Sequence, residues 1–315
     1  LSASLAVVVN QRDSYDWPEP LIEALHAGLP ADTQVLFIDG GSPPPVRRRL
    51  EAAAGRWGFQ LLREEGFVSA NRARRIGLER IAAASVLFLE NDVRLEGGCL
   101  PCLLETARRQ RLDVVVPLLL EEAVGGARRI HLADGVCRLV SGPGCPRLAV
   151  RHGLRHQPVE AAPIRPQPTT LVEYHVLLVQ SAFARLSPLF DAAIPSIPES
   201  LHFSLAIQRL GGQVWLEPRA QAVFLPPSRI AAQDRGLFQE RWSARLQHQG
   251  ISQFCRIWGV APDDRVLVSQ LRWVRAHRCL ARPRPWYRLL GLEVYGVLNR
   301  RLLAPLEEWI ARFRP

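Results

Sequence analysis

Four short segments of the chain are apolar on both faces, and they limit the folds open to it more than any other feature. They are Leu5–Val9 (LAVVV), Val35–Ile38 (VLFI), Val86–Leu89 (VLFL) and Val114–Leu120 (VVVPLLL). A strand with one wet face alternates apolar and polar residues, whereas a strand covered on both faces does not. Amphipathic stretches separate these runs. "WPEPLIEALHAG" follows the first, with Asp16 as its expected cap, Pro18 in its first turn and Gly28 as its stop. "VRRRLEAAAGRW" follows the second, and "FQLLRE" reads as a further strand. "SANRARRIGLERIAA" sets Ala73, Ile76, Gly77 and Ile81 on one helical face, and "LPCLLETARRQ" reads as a helix before the last run. This alternation predicts an α/β fold with a mostly parallel central sheet flanked by helices, Rossmann-like, with right-handed crossovers.

From Glu121 to Pro168 the pattern dissolves into segments rich in Gly and Pro, which predict short antiparallel strands and loops inserted into the sheet. "VEYHVLLVQ" reads as a strand. "LHFSLAIQRLGG" reads as a helix with Phe203, Ile207 and Leu210 on one face, stopped by Gly211 and Gly212. "QVWLEP" and "QAVFL" read as two further short strands, and the remaining residues read as helical and rich in Arg and Trp. The division expected is a domain over residues 1–225 and a helical C-terminal extension over 226–315. With 315 residues, 48% of them hydrophobic, the chain can bury a large core.

The formal net charge is +10, and with no lysine the positive charge is all arginine. Most of it reads as compositional bias, since dense basic runs are few, and no nucleic-acid partner is expected. Cys99 and Cys102 have the spacing of a metal or redox pair, but no second such pair follows. No signal peptide is visible, and no apolar run approaches the ~20 residues of a membrane span, so the expected location is cytoplasmic.

Ligands of open parallel sheets collect beyond the carboxyl ends of the strands. Three strand ends here are polar: Asn10-Gln11-Arg12-Asp13, Asp39-Gly40-Gly41-Ser42 and Glu90-Asn91-Asp92. Carboxylates gathered in one crevice need a cation or hydrogen-bond donors. A divalent ion completed by substrate phosphates is one solution. Glu90 and Asp92 fall on one side of an extended chain, so both can reach the same ligand.

The order of these motifs resembles that of family 2 glycosyltransferases with the GT-A fold. The carriers are "VVVNQRD", "FIDGGS", "GFVSANRARRIGLERI", "LFLENDV", "PESLHFSLAIQRLGGQVWLEPRA" and "FCRIWG", and most of residues 4–225 are covered. The resemblance implies transfer of a sugar from a nucleotide-diphosphate donor of the UDP or GDP type to a glycan or lipid-linked acceptor, with inversion, as in bacterial polysaccharide biosynthesis. It implies that Gln11, Arg12 and Asp39 hold the nucleoside, that Asn71 lies near the base or ribose, and that Glu90 touches ribose or diphosphate. Asp92 would bind Mn2+ or Mg2+, and Glu199 would be the catalytic base, ionised near a helix start.

Four positions depart from the family pattern. Ser200 follows Glu199 where an aspartate is usual, His202 replaces an aspartate, Ala206 replaces an arginine, and Phe224 falls where a histidine is often found. Either Glu199 or His202 is then the base, or the domain is catalytically silent and binds a nucleotide or partner. A nucleotidyltransferase shares the alternating sheet, but "NQRDSYDWPEP" lacks a glycine-rich phosphate loop, and no GxGxxG supports a dinucleotide fold. His175 could line an acceptor site or be packed, while His152 and His156 read as surface residues. The tail from Trp286 to Pro315 is basic and amphipathic. It reads either as a helix on the core or as a peripheral membrane anchor with Trp286, Tyr287 and Trp309 at the headgroups.

Overall fold

The computed structural model describes residues 4–122, 126–161, 164–186, 189–227, 229–278, 294, 297–303 and 305–306. The first half alternates as the apolar runs predict: β1 (Leu5–Asn10), α1 (Glu19–His26), β2 (Gln34–Gly40), α2 (Pro44–Trp57), β3 (Gln60–Glu64), α3 (Ala70–Arg80) and β4 (Ser85–Glu90). Next come β5 (Val93–Leu95), α4 (Cys99–Gln110), β6 (Val114–Glu122), β7 (Arg128–Leu132), β8 (Asp134–Val140), β9 (Arg147–Gly153) and β10 (Gln167–Pro168). The remainder is β11 (Val176–Gln180), α5 (Ser181–Ala184), α6 (Glu199–Arg209), β12 (Val214–Phe224), α7 (Arg235–Arg241), α8 (Ala244–Trp258) and α9 (Arg265–His277).

The main sheet runs β10-β12-β6-β11-β4-β1-β2-β3, with β5 added to β12 and β7 to β6, while β8 and β9 form a separate hairpin. The β3-β2-β1-β4 wing is parallel throughout, and β6 and β12 are parallel to each other. Every residue of β1 and β4 is buried, as strands covered on both faces must be. Helix α3 lies so close to β1 that a Cβ on Gly77 would fall 2.5 Å from a methyl of Val8, so glycine is required there.

Strand β11 runs antiparallel between β4 and β6. Its start therefore lies at the carboxyl end of β4: Val176 pairs with Leu89, and the Glu90 amide donates to the His175 carbonyl at 2.9 Å. The inserted segment thus delivers residues 173–175 to the strand ends where parallel sheets collect ligands.

Two local expectations are corrected. "QVWLEP" and "QAVFL" are one strand, β12, interrupted by a bulge between Glu217 and Gln221. Pro218 has no amide hydrogen for the ladder, and the buried Glu217 carboxylate takes a hydrogen bond from Thr106 Oγ1 (2.9 Å) and an ion pair from Arg219. Asp16 does not cap α1. The cap position is Pro18, with no side-chain bond, and Asp16 accepts from the Trp17 amide and pairs with Arg49 (2.6 Å).

The described helices beyond residue 226 dock on the strand-end face. Trp242 Nε1 donates to Asp13 Oδ1 at 2.7 Å, and Asp264 caps α9 while accepting from the Leu148 amide at 3.1 Å. Trp286, Tyr287 and Trp309 of the basic tail lie outside the described residues. Among the described residues no helix is long and apolar enough to cross a membrane. Cys99 and Cys102 lie in the first turn of α4, where burial raises both thiols, Cys99 to about 12, so neither is held as a thiolate.

Candidate functional site

The loop after β1 is locked to the loop after β4 by one side chain. Asn91 Oδ1 accepts from the Arg12 amide at 2.9 Å, and its Nδ2 donates to the carbonyls of Ser14 (2.9 Å) and Asp16 (2.6 Å). This lock fixes Arg12 among the carboxylates. Arg12 Nε lies 3.2 Å from Glu90, its Nη1 lies 3.4 Å from Asp92 and 3.9 Å from Asp13, and the Phe224 ring stacks 4.5 Å from the guanidinium. Glu90 and Asp92 thus share one cation, supplied by the chain itself.

A second arginine joins this cluster to helix α6. Arg241, at the end of α7, reaches Glu199 at 3.3 Å and Glu90 at 3.7 Å. Glu199 is the first residue of α6, and His175 Nδ1 lies 2.7 Å from Glu90. These groups face a cavity of about 430 Å³ whose wall includes Arg12, Glu90, His175, Glu199, Arg241 and Trp242. Arg155, Arg265 and Trp273 contribute to the same wall, so strand ends, the insertion and the C-terminal helices build it together.

Burial pushes Glu199 up to about 7 against the pull of Arg241 and Arg74. Burial likewise raises Asp92 to about 7, aided by the neighbouring charges of Glu90 and Asp13 and opposed by Arg12. Burial also opposes ionisation of Glu90, but Arg12, His175 and Arg241 together outweigh it and hold that carboxyl well below its usual range. Burial, reinforced by the charge of Arg12, lowers His175 to about 4 and keeps its imidazole neutral near pH 7. The arrangement pairs an ionised carboxylate with one poised near neutrality, between two fixed cations. It can bind an anion and accept a proton.

The structure divides the residues singled out in the sequence. Arg12, Glu90 and Glu199 stand on the cavity wall, and Asp92 pairs with Arg12 just off it. Asp39 does not face the cavity. Its Oδ1 accepts from Gln11 Nε2 (3.1 Å) and the Ser42 amide (2.9 Å), and its Oδ2 from Ser42 Oγ (2.8 Å) and Arg63 (2.7 Å). Gln11 is held in turn, accepting from the Gly40 amide at 2.8 Å and donating to the Tyr15 carbonyl at 2.8 Å. Asn71 is fully buried: it donates to the carbonyls of Asp191 (2.9 Å) and Ile194 (3.1 Å) and accepts from the Tyr174 hydroxyl at 2.7 Å. That network belongs to the packing of α3. His202 is fully buried on α6, where its Nδ1 accepts from Trp258 Nε1 at 3.2 Å, and it does not reach the cavity wall.

Several wall residues escaped the sequence reading. Arg241 and Trp273 sit in helices whose composition marks no site, Trp242 directly follows one of them, and Glu173 carries no motif. His152, read as a surface residue, lines the cavity and contacts Glu173 at 3.1 Å. For His131 the signal available was the histidine itself in a Gly-rich insertion. Among the described residues, two groups of side chains could hold a metal ion: Glu90, Asp92 and His175, and His131, Glu173 and His175, each with ligand atoms within 4.8 Å of one another. In the first group the Arg12 guanidinium already lies against both carboxylates, so a divalent ion there competes with it.

No protein-family model matches the sequence, and no curated protein does. Among solved structures, the fold is similar to the crystal structure of GalNAc-T7 with UDP, GalNAc and Mn2+. The TM-score is 0.57 at 14% identity, covering 96% of this chain and 58% of that one. The chain therefore spans little more than half the length of that protein. The likeness shows a GT-A glycosyltransferase fold and does not single out family 2.

Proposed function

We propose that the chain is a glycosyltransferase that takes a sugar from a nucleoside diphosphate donor and passes it to an acceptor hydroxyl. The single observation that carries this reading is the contact of Arg241 with both Glu90 and Glu199 on the wall of a cavity at the sheet's carboxyl ends. Arg12 and Arg241 would meet the diphosphate and stabilise the charge that develops on it as the glycosidic bond breaks. Glu199 would take the proton of the acceptor hydroxyl, and its rise to about 7 sets it near the optimum for that task. His202, packed against Trp258, leaves the base role to Glu199.

Gln11 and Asp39 would support the nucleoside end at one remove, by holding Arg63 and the Gly40–Ser42 turn in place. Asn71 would act through the scaffold alone. The Mn2+ or Mg2+ that the resemblance implies at Asp92 would have to displace the Arg12 guanidinium from Glu90 and Asp92, and no step of this reading passes through it. An inverting outcome, a glycan or lipid-linked acceptor and a peripheral membrane setting remain part of the proposal.

The test is calorimetric titration with UDP, GDP and their sugars, paired with an assay of donor hydrolysis and transfer. We expect one nucleotide class to bind, Arg241→Ala to weaken it, and turnover to accompany binding. The rival reading, a silent nucleotide-binding domain, draws on Ser200 in the cavity wall where the family has an acid. It predicts binding without turnover.

A further inference from the structure

His131, Glu173 and His175 meet on one wall of the cavity, and no step of the proposed transfer uses the three together. Each side chain offers a ligand atom within 4.8 Å of the other two, and both imidazoles are buried. They come from separate elements. His131 is in β7, and Glu173 and His175 precede β11.

The fold aims them there. In the β6–β7 ladder Leu119 pairs with Leu132 and Leu120 with Ile130, so the register shifts at His131. A bulge of this kind re-aims a side chain. The antiparallel course of β11 brings Glu173 and His175 to the same end of the sheet.

Each of the three has another titratable side chain beside it. His131 Nδ1 is hydrogen-bonded at 2.9 Å with Glu121, which is itself held by His156 at 2.9 Å. Glu173 Oε1 lies 3.1 Å from His152 Nε2, and His175 Nδ1 meets Glu90 at 2.7 Å as a close contact without hydrogen-bond geometry. At His131 the bond at Nδ1 leaves Nε2 as the nitrogen for a ligand. A carboxylate behind the imidazole fixes the tautomer and makes the free nitrogen a better donor, as it does behind metal-binding histidines generally. The Phe224 ring packs against both imidazoles, at 4.4 Å from His175 and 5.5 Å from His131, and limits their rotation.

Lone pairs of two imidazoles and a carboxylate converging on one point repel unless a proton or a metal cation lies between them. Bonds from an ion to such ligands are ~2.0–2.2 Å long, so small side-chain rotations close the remaining gap. Two imidazoles and one carboxylate suit zinc and its first-row neighbours, whereas magnesium prefers oxygen ligands. We propose that His131, Glu173 and His175 form a binding site for one divalent transition ion, Zn2+ by donor chemistry, with its open coordination positions toward the cavity. The site shares His175 with the Glu90–Asp92 group but needs neither of those carboxylates, and it does not depend on the transfer reading.

The test uses the full chain, stripped of metal by a chelator. It is titrated with ZnCl2 by calorimetry, with CoCl2 by visible absorption, and with MgCl2 as the control. We expect one equivalent of Zn2+ to bind, Co2+ to give ligand-field bands, and Mg2+ to give neither. Glu121→Gln should weaken Zn2+ about 10–100-fold by loosening His131. Glu173→Gln and His131→Gln should weaken it more than that, and Asp92→Asn should leave it unchanged. X-ray absorption of the zinc-loaded wild type, which needs no variant to fold, should show nitrogen and oxygen neighbours without sulfur. No stoichiometric Zn2+, sulfur around the ion, or binding that survives Glu173→Gln and His131→Gln but is lost in Asp92→Asn would each overturn the proposal. These outcomes are read from metal binding alone, so they stand apart from success or failure of the transfer assay.

Discussion

Two buried carboxylates end neighbouring regions of the same sheet and live in opposite circumstances. Asp39, near the end of β2, receives four hydrogen bonds from the protein within 3.1 Å. Glu90, the last residue of β4, is equally buried, yet neither of its oxygens has a partner in good hydrogen-bond geometry; Arg12, Arg241 and His175 reach it only as charges or close contacts. A satisfied carboxylate stabilises a loop. An ionised one with unused lone pairs beside an open cavity is poised for something outside the chain. The difference separates scaffold from site more sharply than the motifs do, since both residues belong to strand-end motifs of the same type.

The comparison can be broken by substitution. Glu199→Gln, on the Glu90 side, should lower turnover by roughly 10²–10⁴-fold with donor affinity kept, as measured by steady-state kinetics and calorimetry. Retained turnover would move the base elsewhere. On the other side, Asp39→Ala leaves the buried Ser42 amide and Gln11 without their partner, and thermal or urea unfolding should show a loss of about 1–3 kcal/mol. A change in activity there with unaltered stability would erase the distinction.

The pH dependence sharpens it further. Glu199 is raised in the folded protein, so between about 4.5 and about 7 the folded state keeps a proton that the unfolded chain has lost. Stability should therefore fall as pH rises through that window and level off above it. Glu199→Gln should make this segment of the stability profile shallower, leaving the part that Asp92, raised by burial to the same range, contributes. If Glu199 is the base of the proposed transfer, turnover should rise with pH through about 7 as it loses its proton. Glu121 and Glu173 behave in the opposite way. Hydrogen bonding from His131 lowers Glu121, and contact with His152 outweighs burial at Glu173, so both are drawn down to about 2. Their contribution is present above pH 4.5 and should be lost as pH falls toward 2. The smallest effect belongs to the surface. Arg47 and Glu51 pair across one exposed turn of α2, and Glu51→Ala should leave the unfolding midpoint essentially unchanged.

The sheet was legible because burial on both faces leaves a mark on every residue of a strand, as in β1 and β4. The polar strand ends were legible for the converse reason, since charge directly after such a run is conspicuous. The parts that escaped were supplied by topology. Nothing near Glu173 or His175 states that β11 runs antiparallel beside β4, and nothing near Arg241 states that α7 folds back over β1. The bulge that aims His131 is a register event between two strands, visible only once they are paired. The family pattern pointed to Asn71 and His202 through their spacing, but their side chains are taken up by Tyr174 and Trp258, contacts that spacing cannot reveal.

The proposed transfer requires the cavity between Arg12 and Arg241 to receive the diphosphate of a sugar nucleotide. A crystal structure of the chain with UDP or GDP, whichever binds, would locate it. Phosphate oxygens should lie within hydrogen-bond distance of both guanidinium groups, with Glu199 facing the open side of the β-phosphate. A nucleotide bound elsewhere, with that cavity filled only by water, would rule the proposal out.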